Sequence, residues 1–167
     1  MKFRGGFVVV LLSEELGCDK AHEWLERGKQ MADPVDAFSN FWRGFNNLFS
    51  SVGPSHSQER DQIRSYLDSN VTPEQAQEIL DINSSNIDYL LSQSVIDMRG
   101  NGKDTSQHIE AFNTAACPKV KVSELFMVIY QVRCNLEHGQ KSPSRARDVR
   151  LCECAGPVIS YILERNA

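Results

Sequence analysis

Apolar residues along this chain recur every three or four positions rather than every second one, a spacing that predicts helices from Ser13 to the C-terminus. Ser13-Glu14-Glu15 can cap and charge the start of a helix running towards Met31, with Gly17 weakening its beginning. Asp33-Pro34 reads as an N-cap followed by proline at the first helical position. Behind it Val35, Phe38, Trp42, Phe45 and Phe49 put an aromatic stripe on one helix face, which marks that helix as the centre of the core. Gly53-Pro54 ends it.

The next helix is expected from Ser57, as cap, to about Asn70. Thr72-Pro73-Glu74-Gln75 has the form of a capping box opening a short helix through Ile82. A further helix is expected over Ser85 to Val95, then a turn-prone loop from Arg99 to Ser106 around Gly100, Asn101 and Gly102. After Cys117-Pro118 the pattern resumes at Ser123, where Leu125, Ile129, Val132 and Leu136 share one stripe. The last helix is expected from near Ser144, carrying Cys152, Ala155, Ile159 and Ile162 inward. Gly156-Pro157 should kink it near Cys152 to Gly156, because proline removes a backbone donor and crowds the preceding turn. The class is all-α: one domain over residues 1–167, a bundle of five to seven helices behind a short N-terminal segment, residues 1–12. The apolar run Phe7 to Leu12 within that segment reads as a short strand or a first helical turn. It is too short for a secretory core or a membrane span.

Charge sharpens this picture more than composition does. The net charge of −4 argues against nucleic-acid binding by bulk charge. Yet residues 1–118 carry 10 Lys plus Arg against 17 Asp plus Glu, whereas residues 119–167 carry 8 against 5, so a polyanion should approach the C-terminal third. The five cysteines, Cys18, Cys117, Cys134, Cys152 and Cys154, suit neither a disulfide framework nor a zinc set. They read as reduced, partly buried thiols, which points to the cytoplasm. His22, His56 and His108 have no partners at metal-ligand spacing and read as surface or loop residues.

The chemistry concentrates in Val132-Arg133-Cys134-Asn135-Leu136-Glu137-His138-Gly139-Gln140-Lys141. A guanidinium can bind two phosphate oxygens and stabilise developing charge, and an imidazole can move a proton near neutral pH. Residues five apart on a regular helix lie about 140° apart around its axis. Arg133 and His138 therefore meet one substrate only if the helix breaks at His138, helped by Gly139 as a left-handed cap, or if two chains share a cleft across a two-fold axis. Asn135, three residues before His138, should share its face and orient the ring or a phosphate oxygen. Lys141, Arg145, Arg147 and Arg150 follow as candidate contacts to an RNA backbone, or equally as a solvated face. Glu137, four residues from Arg133, is placed to form an ordinary helical ion pair with it.

The arginine, four residues and a histidine at the end of a helix resemble the defining motif of HEPN domains, in the form seen in the Apea-like and RiboL-PSP groups. The aromatic helix Phe38-Ser39-Asn40-Phe41-Trp42-Arg43-Gly44-Phe45-Asn46-Asn47-Leu48-Phe49 is similar to an early helix of those groups. The resemblance implies an endoribonuclease that needs neither metal nor cofactor, with Arg133 and His138 catalytic and with 2′,3′-cyclic phosphate products. It also implies a homodimer whose two motifs line one cleft, a role as a toxin or antiphage or stress effector, and often a nucleotidyltransferase-type antitoxin as partner. Where many active members carry a small polar residue directly after the arginine, this chain has Cys134, with Asn135 one position on. The alternative reading is a catalytically inactive HEPN-like helical module that binds a partner protein or a nucleotide. A helix-turn-helix DNA binder fits less well, since no helix presents a face dense in Arg, Lys, Asn and Gln.

Overall fold

The computed structural model describes residues 5–52, 57–138 and 145–167, with the side chains of residues 5–14 and 52 outside that description. Among the described residues the chain forms eight α-helices: α1 (Gly5–Lys29), α2 (Pro34–Val52), α3 (Glu59–Asn70), α4 (Pro73–Ile82), α5 (Ser84–Leu91), α6 (Ser106–Thr114), α7 (Pro118–Glu137) and α8 (Ala146–Asn166). The all-α class is as expected, and the count is one above the predicted range. The extra helix is α6, whose short polar sequence has too few apolar positions for a clear 3.6-residue pattern.

The punctuation explains most boundaries. Asp33 Oδ1 accepts from the amides of Val35 at 2.8 Å and Asp36 at 3.1 Å, which starts α2 where Asp-Pro predicts. The capping box of α4 is complete: Gln75 N donates to Thr72 Oγ1 at 3.1 Å, and Thr72 N donates to Gln75 Oε1 at 2.9 Å. Gly53, Pro54 and Ser144 lie outside the described residues.

Four boundaries differ from expectation. Residues 5–12 do not stand apart from the first helix, because α1 already runs from Gly5 through Ser13 without a break. Ser57 is not the cap of α3, which starts at Glu59 behind Gln58 with no side-chain cap. The helix expected to reach Val95 stops at Leu91, since Val95 pairs with Thr105 instead: Val95 N donates to Thr105 Oγ1 at 2.9 Å, and Thr105 N donates to Val95 O at 3.1 Å. Finally, α7 begins at Pro118, five residues before Ser123; proline suits the first helical turn, where no intrahelical donor is needed. α8 continues as one helix through Pro157, which lies on its exposed side.

The aromatic stripe occupies the core as predicted. Phe38, Trp42, Phe45 and Phe49 are all buried, and Phe45 stacks edge-on or tilted against Trp42, Phe49, Tyr66 and Phe126 with ring centroids 5.1–5.9 Å apart. α2 packs on α1 and α8 on either side, while α7 takes contacts from α3, α4, α5, α6 and α8. The approach of α1 to α2 needs Gly28, where a Cβ would lie 2.5 Å from the Phe41 ring. Cys152 and Cys154, although two apart, are both buried, because α8 is covered on several sides. Among the described residues no helix is long and apolar enough to cross a membrane.

Candidate functional site

Arg133 lies in the last turn but one of α7 and turns back towards α2 and α3 rather than out to solvent. Its Nη1 sits 3.0 Å from Glu59 Oε2 and its Nη2 2.8 Å from Glu137 Oε2. The guanidinium carbon lies 5.7 Å from the centre of the Trp42 ring and 5.9 Å from that of Tyr130. Burial works against its charge, but Glu59 and then Glu137 outweigh that penalty and raise its pKa above the ordinary arginine value. Nε is buried without an acceptor among the described residues. Glu59 also accepts from Tyr130 Oη at 3.1 Å, so one carboxylate from α3 binds two α7 side chains. Burial, with Cys134 and Glu59 nearby, pushes the Tyr130 hydroxyl well above its usual range.

His138 stands one residue past the end of α7, exposed, with its amide donating to Cys134 O at 3.2 Å. Its backbone angles, φ −83° and ψ 9°, are not left-handed, and Gly139 lies outside the described residues. Within one chain the guanidinium is held inward against Glu59 and Trp42, whereas His138 is exposed.

Asn135 corrects the sequence reading. Rather than sharing an open face with His138, it is 1% exposed and committed three times. Its Nδ2 donates to Ile96 O at 2.8 Å, and its Oδ1 accepts from Met98 N at 3.3 Å and from Gln131 Nε2 at 3.1 Å. The helix leaves the core only after Asn135, so three residues of spacing separate a buried anchor from a solvent-facing ring. What Asn135 anchors is a hairpin-like loop closed by an antiparallel bridge between Ile96 and Asp104, with turns at Gly100 (φ 77°) and Gly102 (φ 72°) that only glycine adopts readily.

That loop builds a site the sequence reading passed over. Arg60 from α3, Gln131 from α7, Asp97, Arg99, Lys103 and Asp104 from the loop, and Ser106 and Gln107 from α6 line a cleft of about 610 Å³. Arg60 lies 5.0 Å over the same Tyr130 ring that Arg133 flanks, so the cleft and Arg133 are separated by one aromatic side chain. A basic residue on either side of a two-glycine turn, Arg99-Gly100-Asn101-Gly102-Lys103, was the available signal. Glu59, remote in sequence from Arg133, left none.

The predicted backbone contacts divide. Lys141 lies outside the described residues. Arg145 and Arg147 line a separate pocket of about 420 Å³ with Val95, Ile96, Met98 and Asp148, across the loop from the first. Arg147 Nη2 already donates to Gln93 O at 3.3 Å and Ser94 O at 3.4 Å. Arg150 pairs with Glu153 at 2.7 Å and lies over the Tyr89 ring. His22 is exposed as expected and His56 lies outside the described residues, but His108 is not a surface residue. It is buried between α6 and α7, with Nδ1 2.7 Å from Glu124, which in turn binds Arg64 at 2.9 Å. Burial alone would raise the Glu124 pKa; Arg64 and His108 together lower it. Among the described residues no group of His, Cys, Asp and Glu is arranged to hold a metal ion.

Fold and site together define an all-α bundle with a cationic cleft beside the polar end of a central helix. Comparison with protein-family models, curated proteins and solved structures gives no significant match.

Proposed function

We propose that this chain binds RNA and cleaves it without a metal ion, as the resemblance to HEPN domains implies. His138 is the proton-transfer group and Arg133 the fixed positive charge of the site. The 2′-oxygen of the substrate attacks the adjacent phosphorus as the bond to the 5′-oxygen breaks, leaving a 2′,3′-cyclic phosphate and a 5′-hydroxyl; the imidazole takes or returns the proton. The observation that carries the reading is the end of α7, where an exposed imidazole follows a permanently charged arginine that shares Tyr130 with a cationic cleft.

An Arg133 held inward and an exposed His138 favour a site completed by a second copy of the chain, whose own α7 end brings the missing partner. In that form the protein acts as a growth-arresting effector restrained by a partner protein. Recombinant wild type is expected to cut RNA in EDTA and to slow growth when expressed; His138→Ala keeps the fold and loses both. Unchanged toxicity in that variant, or an inert wild type, rejects the reading. A strictly monomeric protein that still cleaves would show that one chain suffices.

One observation favours the second reading, a non-catalytic module that binds a partner protein or nucleotide: Glu59 and Glu137 both neutralise Arg133. If they merely hold a structural arginine, Arg133→Lys should weaken the fold without an RNA phenotype.

A further inference from the structure

We propose that the cleft between α3, the Ile96–Asp104 loop and the start of α6 is the site that grips the phosphate backbone of the RNA next to the nucleotide processed at His138. This rests on the reading of the chain as an RNA-cleaving protein and assigns the substrate track to residues outside the Arg133–His138 motif.

The argument starts from which charges in the cleft remain available. Arg60, Arg99 and Lys103 face it together with Asp97 and Asp104. Asp97 is buried and its oxygens are fully engaged: they accept from Arg99 Nε at 2.9 and 3.2 Å, Arg99 Nη2 at 2.6 Å, Arg99 N at 3.1 Å and Asn101 Nδ2 at 2.9 Å. Asp104 is likewise engaged, Oδ1 by Ser106 N at 2.8 Å and Oδ2 by Ser94 Oγ at 3.3 Å. Asp97 is thus saturated and paired with Arg99, whereas Asp104, exposed, holds the loop through Ser106 and Ser94 and keeps its charge, so the cleft's excess positive charge comes from Arg60 and Lys103. The cations differ. Among the described residues Lys103 is exposed with no ion-pair partner, and Arg60 has a long contact, 3.4 Å to Gln131 Oε1, besides its stacking on Tyr130. Two cations without a carboxylate partner against one exposed carboxylate leave a surface that favours an anion.

Size and direction select a polyanion. About 610 Å³ exceeds what a single phosphate fills, and Arg60 at its edge shares the Tyr130 ring with Arg133, which lies in the turn of α7 that leads to His138. Cations spaced along an open cleft, Arg60 from α3 and Lys103 from the loop, suit a single strand, whose phosphates repeat at short intervals. Asn135 is then a positioning residue: by holding Ile96 O and Met98 N it fixes the loop that carries Arg99 and Lys103.

The test is equilibrium binding of a fluorescein-labelled single-stranded RNA to full-length His138→Ala protein, which cannot consume it, over a range of NaCl concentrations. Adding Arg60→Ala and Lys103→Ala is expected to weaken binding about tenfold at low salt and to reduce the slope of log affinity against log salt by about one per lost phosphate contact. Lys103→Glu alone, at an exposed position, should weaken binding further than Lys103→Ala without altering the fold, whereas Lys20→Ala on α1 should leave it unchanged. Unaltered affinity and slope in the Arg60/Lys103 variant overturn the cleft, while continued cleavage by the same substitutions in the His138 background would leave the ribonuclease reading standing. If the wild type neither binds nor cuts RNA, both fall.

Discussion

From Val122 to Val132, α7 is buried on nearly every side, with Leu125, Phe126, Met127, Val128 and Ile129 at most 1% exposed; from Arg133 to Glu137 the same helix is held through Arg133 and Asn135 by polar contacts from distant segments. The first stretch is shaped by hydrophobic burial, which is non-directional and tolerates several ways of filling the same space. The second depends on particular partners: Glu59 for Arg133, and Ile96 and Met98 for Asn135. One helix thus anchors its buried half so that its polar half can be set by directional bonds, and the loop that forms the cleft hangs from that polar half.

Disturbing the buried half should cost the most. Phe45→Ala, in the centre of the ring cluster between α2 and α7, is expected to lower unfolding stability by about 3–5 kcal/mol, read from urea denaturation. A loss below about 1 kcal/mol would mean that the cluster is not the core described. Next comes Asn135→Ala, which leaves Ile96 O and Met98 N without their side-chain partner at a cost of about 1–3 kcal/mol. Hydrogen exchange at the Asp97 and Thr105 amides should accelerate in that variant while α2 stays protected; uniform acceleration would erase the distinction between the two halves.

A smaller effect separates them by pH. Side-chain hydrogen bonds from Arg99, chiefly, with Asn101 and the Arg99 amide, hold the Asp97 carboxyl well below the usual carboxylate range. A depressed folded-state pKa contributes stability that is fully present above the unfolded value near 4 and is lost as pH falls towards the folded one. Asp97→Asn should therefore lower the thermal midpoint at pH 6 and flatten its decline between pH 4 and pH 2. A decline as steep as the wild type's would mean that other carboxylates carry the acid sensitivity. The smallest effect belongs to Glu137→Ala, an exposed partner whose removal should change stability by less than about 0.5 kcal/mol. Glu59→Ala, which removes one partner from Arg133 and the hydroxyl's acceptor from Tyr130, should cost more; equal costs would show that the interhelical pair is no firmer than the surface one.

The same contrast explains what could be read in advance. The core stripe of α2, the capping box at Thr72 and the N-cap at Asp33 are local patterns, and local patterns survive folding. The start of α7 at Pro118 and the short α6 were obscured because few apolar residues mark them. Within the site, Arg133–Glu137 was legible from helical spacing, and His138 was correctly placed at a helix end. Asn135 was misplaced because spacing along a helix gives an angle, and which angle is buried depends on a loop about 40 residues earlier in the chain. The cleft was missed for the same reason: Arg60, Arg99 and Gln131 come together only once three elements have packed.

The central claim, that the polar end of α7 cuts RNA with the substrate's own 2′-oxygen, is tested most directly by the chemistry of the ends. Purified wild-type protein incubated with a defined RNA in EDTA should yield fragments bearing 2′,3′-cyclic phosphate and 5′-hydroxyl groups, resolved by mass spectrometry. Fragments ending in a 3′-hydroxyl, or intact RNA after prolonged incubation, would contradict it.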